Sequence, residues 1–233
     1  RSKFLSEANF WNLVKKIFLA KKFSTKIVID NEHYQGFFEG ASIKKVKKIS
    51  YGGTIDNTLQ KSDVMDIFSF INMDYYLSVS RSIRDNKIEE LCLLFSNLPD
   101  KKLILISNFS NSDYGLGILE KYKKYSNITL INGLYDKPKL DLVRRNCKAY
   151  IHTHTLCGSA PSLIEMIVCR VPIYSIDVIQ NRYTLGENGS YFSSFDELQT
   201  ILKDDLLPNR PTVDFSSQYN WQTVVWEYES LFV

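Results

Sequence analysis

Apolar positions along the chain switch between helical and strand spacing. In "SEANFWNLVKKIFLAKKF", Phe10, Leu13, Val14, Ile17 and Phe18 recur at i, i+3 and i+4. That spacing predicts an amphipathic helix over residues 7–22, with Ser6 placed to cap it. Two short apolar runs follow, "KIVID" (26–30) and "VKKISYGG" (46–53), and each predicts a strand. Residues 54–72 lack strong periodicity and predict a linker.

A regular alternation then begins. Strands are predicted at 74–80, 101–108, 127–132, 148–152, 171–176 and 190–194. Helices are predicted at 87–98, 116–125, 137–146, 161–169 and 195–205. Strand, helix, strand at this rhythm is the pattern of βαβ crossovers, which connect parallel strands. The expected fold class is therefore α/β: a Rossmann-like open parallel sheet with helices on both faces. In such sheets ligands sit beyond the C-terminal strand ends. The last stretch, "QYNWQTVVWEYESLF", carries Trp221, Val224, Val225, Tyr228 and Leu231 at helical spacing. It predicts a terminal packing helix, capped by Asn220 or Ser217.

Composition narrows the class. Of 233 residues, 44% are hydrophobic and 24% charged, which fits a globular chain. No apolar run approaches the ~20 residues of a membrane span. The four cysteines show no CxxC pairing, which suits a reducing compartment. Charge is uneven: residues 1–50 hold 11 Lys/Arg against 4 Asp/Glu, and the remainder 18 against 22. The basic start suggests a solvated face, a phosphate site or contact with an anionic membrane. The chain begins inside a helical pattern without an initiator Met, as a fragment would.

Three stretches could carry chemistry. In "SVSRSIRDNK", Arg81 follows a strand and Lys87 opens a helix. A fork-shaped guanidinium and a point charge at a helix N-terminus could converge on one phosphate group. Two exposed loop cations would look the same. In "YIHTHTLCGSAPSLIEM", Gly158 allows close approach by a ligand, and Pro161 suits a first helical turn. Glu165 sits one turn in, where a carboxylate could accept two hydroxyl hydrogen bonds or simply stabilise the helix. A metal here would use His152, His154 and Cys157. Cys147, as fourth ligand, lies about 17 Å away on an extended chain, so no metal is expected. A Cys157/His nucleophile lacks any specified oxyanion hole. Cys92 and Cys169 fall on apolar helix faces and read as core. In "SIDVIQNRYTLGENGSYF", Asn181 and Arg182 follow a strand end and a turn, bordering the same crevice.

These residues together resemble the donor-binding C-terminal domain of GT-B glycosyltransferases of family 4. The pattern there is a strand, then Gly-Arg with a Lys six residues on. Later come a helix bearing Glu and a Gly-Val-Pro step. Arg81, Lys87, Glu165 and "RVPIYSID" stand at those places, Arg170 replacing the glycine. The loop from His152 to Glu165 is closer to a bacterial rhamnosyltransferase-like branch. Its pattern there is His-Gly-His-x-x-Gly-Gly-Thr-Asn-Pro-Ser-Leu-Leu-Glu. Cys157 stands where the general family has a Glu, and Arg170 and Ala160 are expected to narrow the loop.

The resemblance implies a division of the chain. Residues 1–53 would be a remnant of an N-terminal acceptor domain and 54–72 the linker. Residues 73–212 would be the donor domain and 213–233 a helix returning to the first. It implies transfer of a sugar from a nucleotide diphosphate donor to a glycan or lipid-linked acceptor, in bacterial surface polysaccharide or lipopolysaccharide synthesis. The mechanism would be retaining, with no cofactor or metal. Arg81 and Lys87 would hold the diphosphate. Glu165 would hold the ribose. Gly158, Ser159, Ala160, Pro161, Ser162, His154 and Asn181 would complete the donor site. The place would be the cytoplasm, at the inner membrane face if the basic helix makes peripheral contact. No nucleic-acid partner is expected, and the fragment alone would be inactive. A non-catalytic sugar-nucleotide- or partner-binding module is the alternative, and a GT-B sugar-nucleotide epimerase a third reading.

Overall fold

The computed structural model describes residues 7–211 and 219–232. Six strands form one sheet: β3 (Tyr76–Val79), β4 (Leu103–Ser107), β5 (Ile128–Asn132), β6 (Ala149–His152), β7 (Ile173–Ile176) and β8 (Ser190–Phe192). Two more, β1 (Ile27–Ile29) and β2 (Val46–Lys48), pair separately. The helices are α1 (Glu7–Phe23), α2 (Ile88–Ser96), α3 (Asp113–Tyr122), α4 (Lys137–Asn146), α5 (Pro161–Cys169), α6 (Ile179–Leu185), α7 (Phe195–Lys203) and α8 (Trp221–Glu229).

All pairings are parallel, and the large sheet runs β5-β4-β3-β6-β7-β8. The expected Rossmann-like sheet is thus present. Successive side chains of each strand go to opposite cores. Leu77, Ile104, Ile106, Tyr150 and Ile173 pack with α4 and α5. Tyr76, Leu103, Leu105, Ile151 and Tyr174 pack with α2, α3 and α7. Burial on both faces explains why these strands read as continuous apolar runs. The chain leaves β3 toward β4 on one side and β6 toward β7 on the other. The strand order therefore switches between β3 and β6, and a crevice opens at their C-terminal ends.

Residues 54–72 contain a short 3-10 turn, Lys61–Val64. Val64, Phe68, Phe70 and Ile71 are buried in the α4–α5 core. Around β1 and β2 the core is small: Ile27, Ile29 and Phe38, with Ile17 and Ala20 of α1 against them. α8 lies over this unit, Lys47 Nζ donating to Ser230 Oγ at 2.7 Å. Asn220 Oδ1 caps α8 by accepting from Gln222 N. The alternative cap, Ser217, lies outside the described residues.

Asn181 and Arg182 follow the end of β7 and the turn at 177–178, and they lie on a helix, α6, that the apolar pattern does not predict. The buried face of α6 is Asn181, Thr184 and Leu185, mostly polar, so apolar periodicity does not show it. Arg182 pairs with Asp177 (Nη2 to Oδ2, 2.7 Å) and lies over the Tyr191 ring.

Candidate functional site

The loops after β3 and β6 meet at the switch point and are tied together. Thr155 Oγ1 donates to Asp85 O at 2.9 Å, and Thr155 N donates to the same carbonyl. Thr153 Oγ1 donates to Asn86 O, and Asn86 Nδ2 returns to Arg81 O at 2.9 Å. The crevice floor is therefore built from one hydrogen-bonded block.

Arg81 and Lys87 occupy different parts of this block. Arg81 is exposed and close enough to His154 to depress its pKa. Lys87 caps the start of α2 in a left-handed conformation, φ 55°. Such backbone costs a non-glycine residue about 1 kcal/mol or more and tends to mark functional sites. Its Nζ turns to Glu90 at 3.1 Å. Both partners are over a third exposed, so the pair holds weakly, about 0–1 kcal/mol. Lys87 can leave it for a phosphate at little cost.

The β6 loop carries the histidines. His152 is fully buried and His154 partly so, their ring centroids 4.3 Å apart. Nε2 of each is buried without a hydrogen-bond partner. Burial keeps both neutral, His154 titrating only near pH 4 and His152 far below its ordinary value. Asn181 clamps the loop from α6, donating to His154 O at 3.1 Å and accepting from Cys157 Sγ at 3.5 Å. It positions the loop from beneath. Burial, reinforced by Asp30, pushes the Cys157 thiol up to about 11.

Asp30, directly after β1, is given no role by the sequence. Ser159 N donates to its Oδ2 at 3.2 Å, and Ser159 Oγ to its backbone carbonyl. A Cβ on Gly158 would lie 2.1 Å from Asp30 Oδ2. Glycine makes room here for a carboxylate of this chain. Ala160 is the buried N-cap of α5 and Pro161 its first residue, with no side chain capping the turn. Ser162 hydrogen-bonds the Tyr150 hydroxyl. Arg170 ends α5 with φ 55°, at the far end from Ala160, so it does not narrow the loop. It holds the left-handed form that a glycine suits.

Glu165 faces a buried cation that was also missed. Arg144 Nη2 donates to Glu165 Oε2, and Arg144 Nη1 to Asp141 Oδ1 at 2.9 Å. Asp141 also accepts from Asp56 N at 2.8 Å and from Lys137. Burial raises the Glu165 pKa, while Arg144 and then Lys137 pull it down. The i,i+3 charge pair in "KLDLVRRN" was its only sequence signal. A cavity of about 1010 Å³, mostly apolar, lies apart from this cluster, between α1, β1 and α8. It meets the crevice at Asp30 and Cys157, and its walls include Leu13, Phe38, Trp221 and Val224.

The fold and crevice define the Rossmann-like domain of GT-B proteins, and comparison with solved structures gives the same class. Sucrose-phosphate synthase from Thermosynechococcus elongatus superposes with TM-score 0.74 at 17% identity, over 97% of this chain and 63% of that one. HepE of Anabaena, solved with UDP and glucose, gives 0.76 at 16%, over 100% and 68%. WaaG, a glycosyltransferase involved in lipopolysaccharide biosynthesis, gives 0.65 at 11%, over 85% and 58%. This chain thus spans roughly three fifths to two thirds of the length of these structures. No protein-family model and no curated protein sequence matches it.

Proposed function

We propose that this chain is the donor-binding part of a glycosyltransferase that moves a sugar from a nucleotide diphosphate. One observation carries the reading: the loop after β3, which holds Arg81, is hydrogen-bonded to the loop that leads from β6 toward α5, at the β3/β6 switch point. That is where open α/β sheets bind ligands. The leaving diphosphate would lie against Arg81, Lys87 and the Ser159–Ser162 turn, which stabilise the charge developing in the transition state. No metal would be needed for that step. Glu165 would accept from the ribose hydroxyls, Arg144 holding one of its oxygens so the other stays free to turn. His154 would line the sugar side.

The acceptor would be a glycan or a lipid-linked one, in bacterial surface polysaccharide synthesis of the rhamnosyltransferase-like kind, with retention. Residues 1–53 and 213–233 would belong to the acceptor half, 73–212 to the donor half, with 54–72 between them. The place would be the cytoplasmic membrane face. Among the described residues, no helix is long and apolar enough to cross a membrane.

Calorimetry with UDP and other nucleoside diphosphates tests the donor site. Arg81→Ala with Lys87→Ala should abolish binding, and Glu165→Gln should weaken nucleoside diphosphates while sparing pyrophosphate. Undiminished nucleotide binding in the double variant would sink the assignment. A second reading, a non-catalytic partner-binding module, draws on the exposed apolar faces of α1 and α8. Sugar transfer by the full-length protein would exclude it.

A further inference from the structure

The β6 loop brings together three ligating side chains that the transfer chemistry does not use as a set. One ligand atom each from His152, His154 and Cys157 lies within 4.8 Å of the others. Sequence spacing argued against a metal because Cys147 could not close a tetrahedron. In the fold Cys147 is indeed used elsewhere, buried with its thiol donating to Arg144 O. Three converging ligands, however, do not need it.

The hydrogen bonding favours metal ligation over a satisfied histidine core. The Tyr150 hydroxyl donates to Val79 O at 3.2 Å. Its oxygen also lies 3.5 Å from His152 Nδ1, a contact in which that nitrogen donates when it carries the ring proton. His152 Nε2 is buried and unpartnered, and with the ring proton on Nδ1 it presents a bare lone pair. A hydrogen bond from the other ring nitrogen is how metal-bound histidines are commonly held. His154 Nε2 is likewise buried and unpartnered. A neutral imidazole pair with a thiol is a borderline-soft donor set that selects zinc-class ions over magnesium or calcium.

We propose that His152, His154 and Cys157 form a binding site for a zinc-class divalent ion at the C-terminal end of β6. Ligand atoms on tetrahedral zinc stand ~3.3–3.6 Å apart. The ligand atoms lie within 4.8 Å of one another, so closing the set requires an approach of about 1 Å. Two charges border the site. Arg81 opposes a cation, and Asp30, close enough to act on Cys157, supports one. A three-ligand set keeps an open position, which takes water or an oxygen of a bound molecule. The site is distinct from any metal requirement of transfer and does not rest on the transferase reading.

The test uses the whole chain with zinc alone, then with cobalt as an optical probe. One zinc per chain should survive gel filtration, and the cobalt form should show a thiolate charge-transfer band. Cys157→Ser should remove that band, and His154→Asn should weaken zinc by at least ~10-fold, with cooperative melting kept in both. X-ray absorption of the zinc-loaded wild-type chain reads the donors without any variant. Two nitrogens and one sulfur would support the site. No retained zinc, an all-oxygen or sulfur-only shell, or zinc held equally by both variants would overturn it.

Discussion

The six-stranded unit and the smaller unit of α1, β1, β2 and α8 handle apolar surface differently. The large sheet buries both faces under helices and leaves its chemistry at one edge. The small unit buries a three-residue core and leaves aromatic rings outside: Phe18 is 59% exposed, Phe23 69% and Trp226 65%. Strands sandwiched in two cores hold a site rigidly. A half-covered unit adapts, and it suits the approach of something else. Asp30 is where the two meet, because the small unit places its carboxylate at the loop that the large unit holds still.

The largest effect should come from breaking the large unit from within. Arg144→Gln leaves Asp141 and Glu165 buried without their shared cation, and should cost about 3–5 kcal/mol in urea denaturation. Next comes the seam. Gly158→Ala drives a methyl onto the Asp30 carboxylate and should cost about 2 kcal/mol. Hydrogen exchange should quicken around β1 and the turn after it while β3, β4 and β6 stay protected. Equal loosening of both units would contradict their separation.

A smaller effect concerns pH. The Glu165 carboxyl, raised by burial, binds its proton more tightly folded than unfolded. Its charge therefore works against stability once pH exceeds the unfolded value, and the strain is relieved on acidification. Nucleotide affinity should run the opposite way, since only the carboxylate accepts two hydroxyls. It should begin to fall at a higher pH than an ordinary glutamate would dictate. Calorimetry across the acid range reads this, and a midpoint at or below the ordinary value would argue against a buried ribose carboxylate. The smallest effect is a gain. Arg170→Gly relieves a left-handed residue and should add about 1 kcal/mol, visible as a raised Tm.

The sheet was legible because its strands alternate between two apolar cores, so each reads as an unbroken hydrophobic run. α4 and α5 came out at their observed bounds, helped by Pro138 and Pro161 near their starts. α6 was hidden by its polar buried face. The site was legible in part. Strand-end position made Arg81, Lys87 and the α5 entry visible. Asp30 was not, because it contacts Ser159 from 129 residues away. Arg144 was not, because a buried charge looks in sequence like a surface one. The histidine and cysteine spacing was plain, but their convergence depends on how the loop folds over Asn86 and Asn181.

Gly53 N donates to Tyr219 O at 2.7 Å, and the Trp221 ring lies so close over Gly52 that no Cβ fits between. The polypeptide crosses from one unit to the other at this spot and crosses back beside itself. Two passes bonded edge to edge behave like a door hinge with two leaves on one pin. Hinges of this kind are a few residues that absorb a change of backbone angle while the halves move as units. Any opening of the crevice about this spot would have to break the Asp30–Ser159 hydrogen bonds.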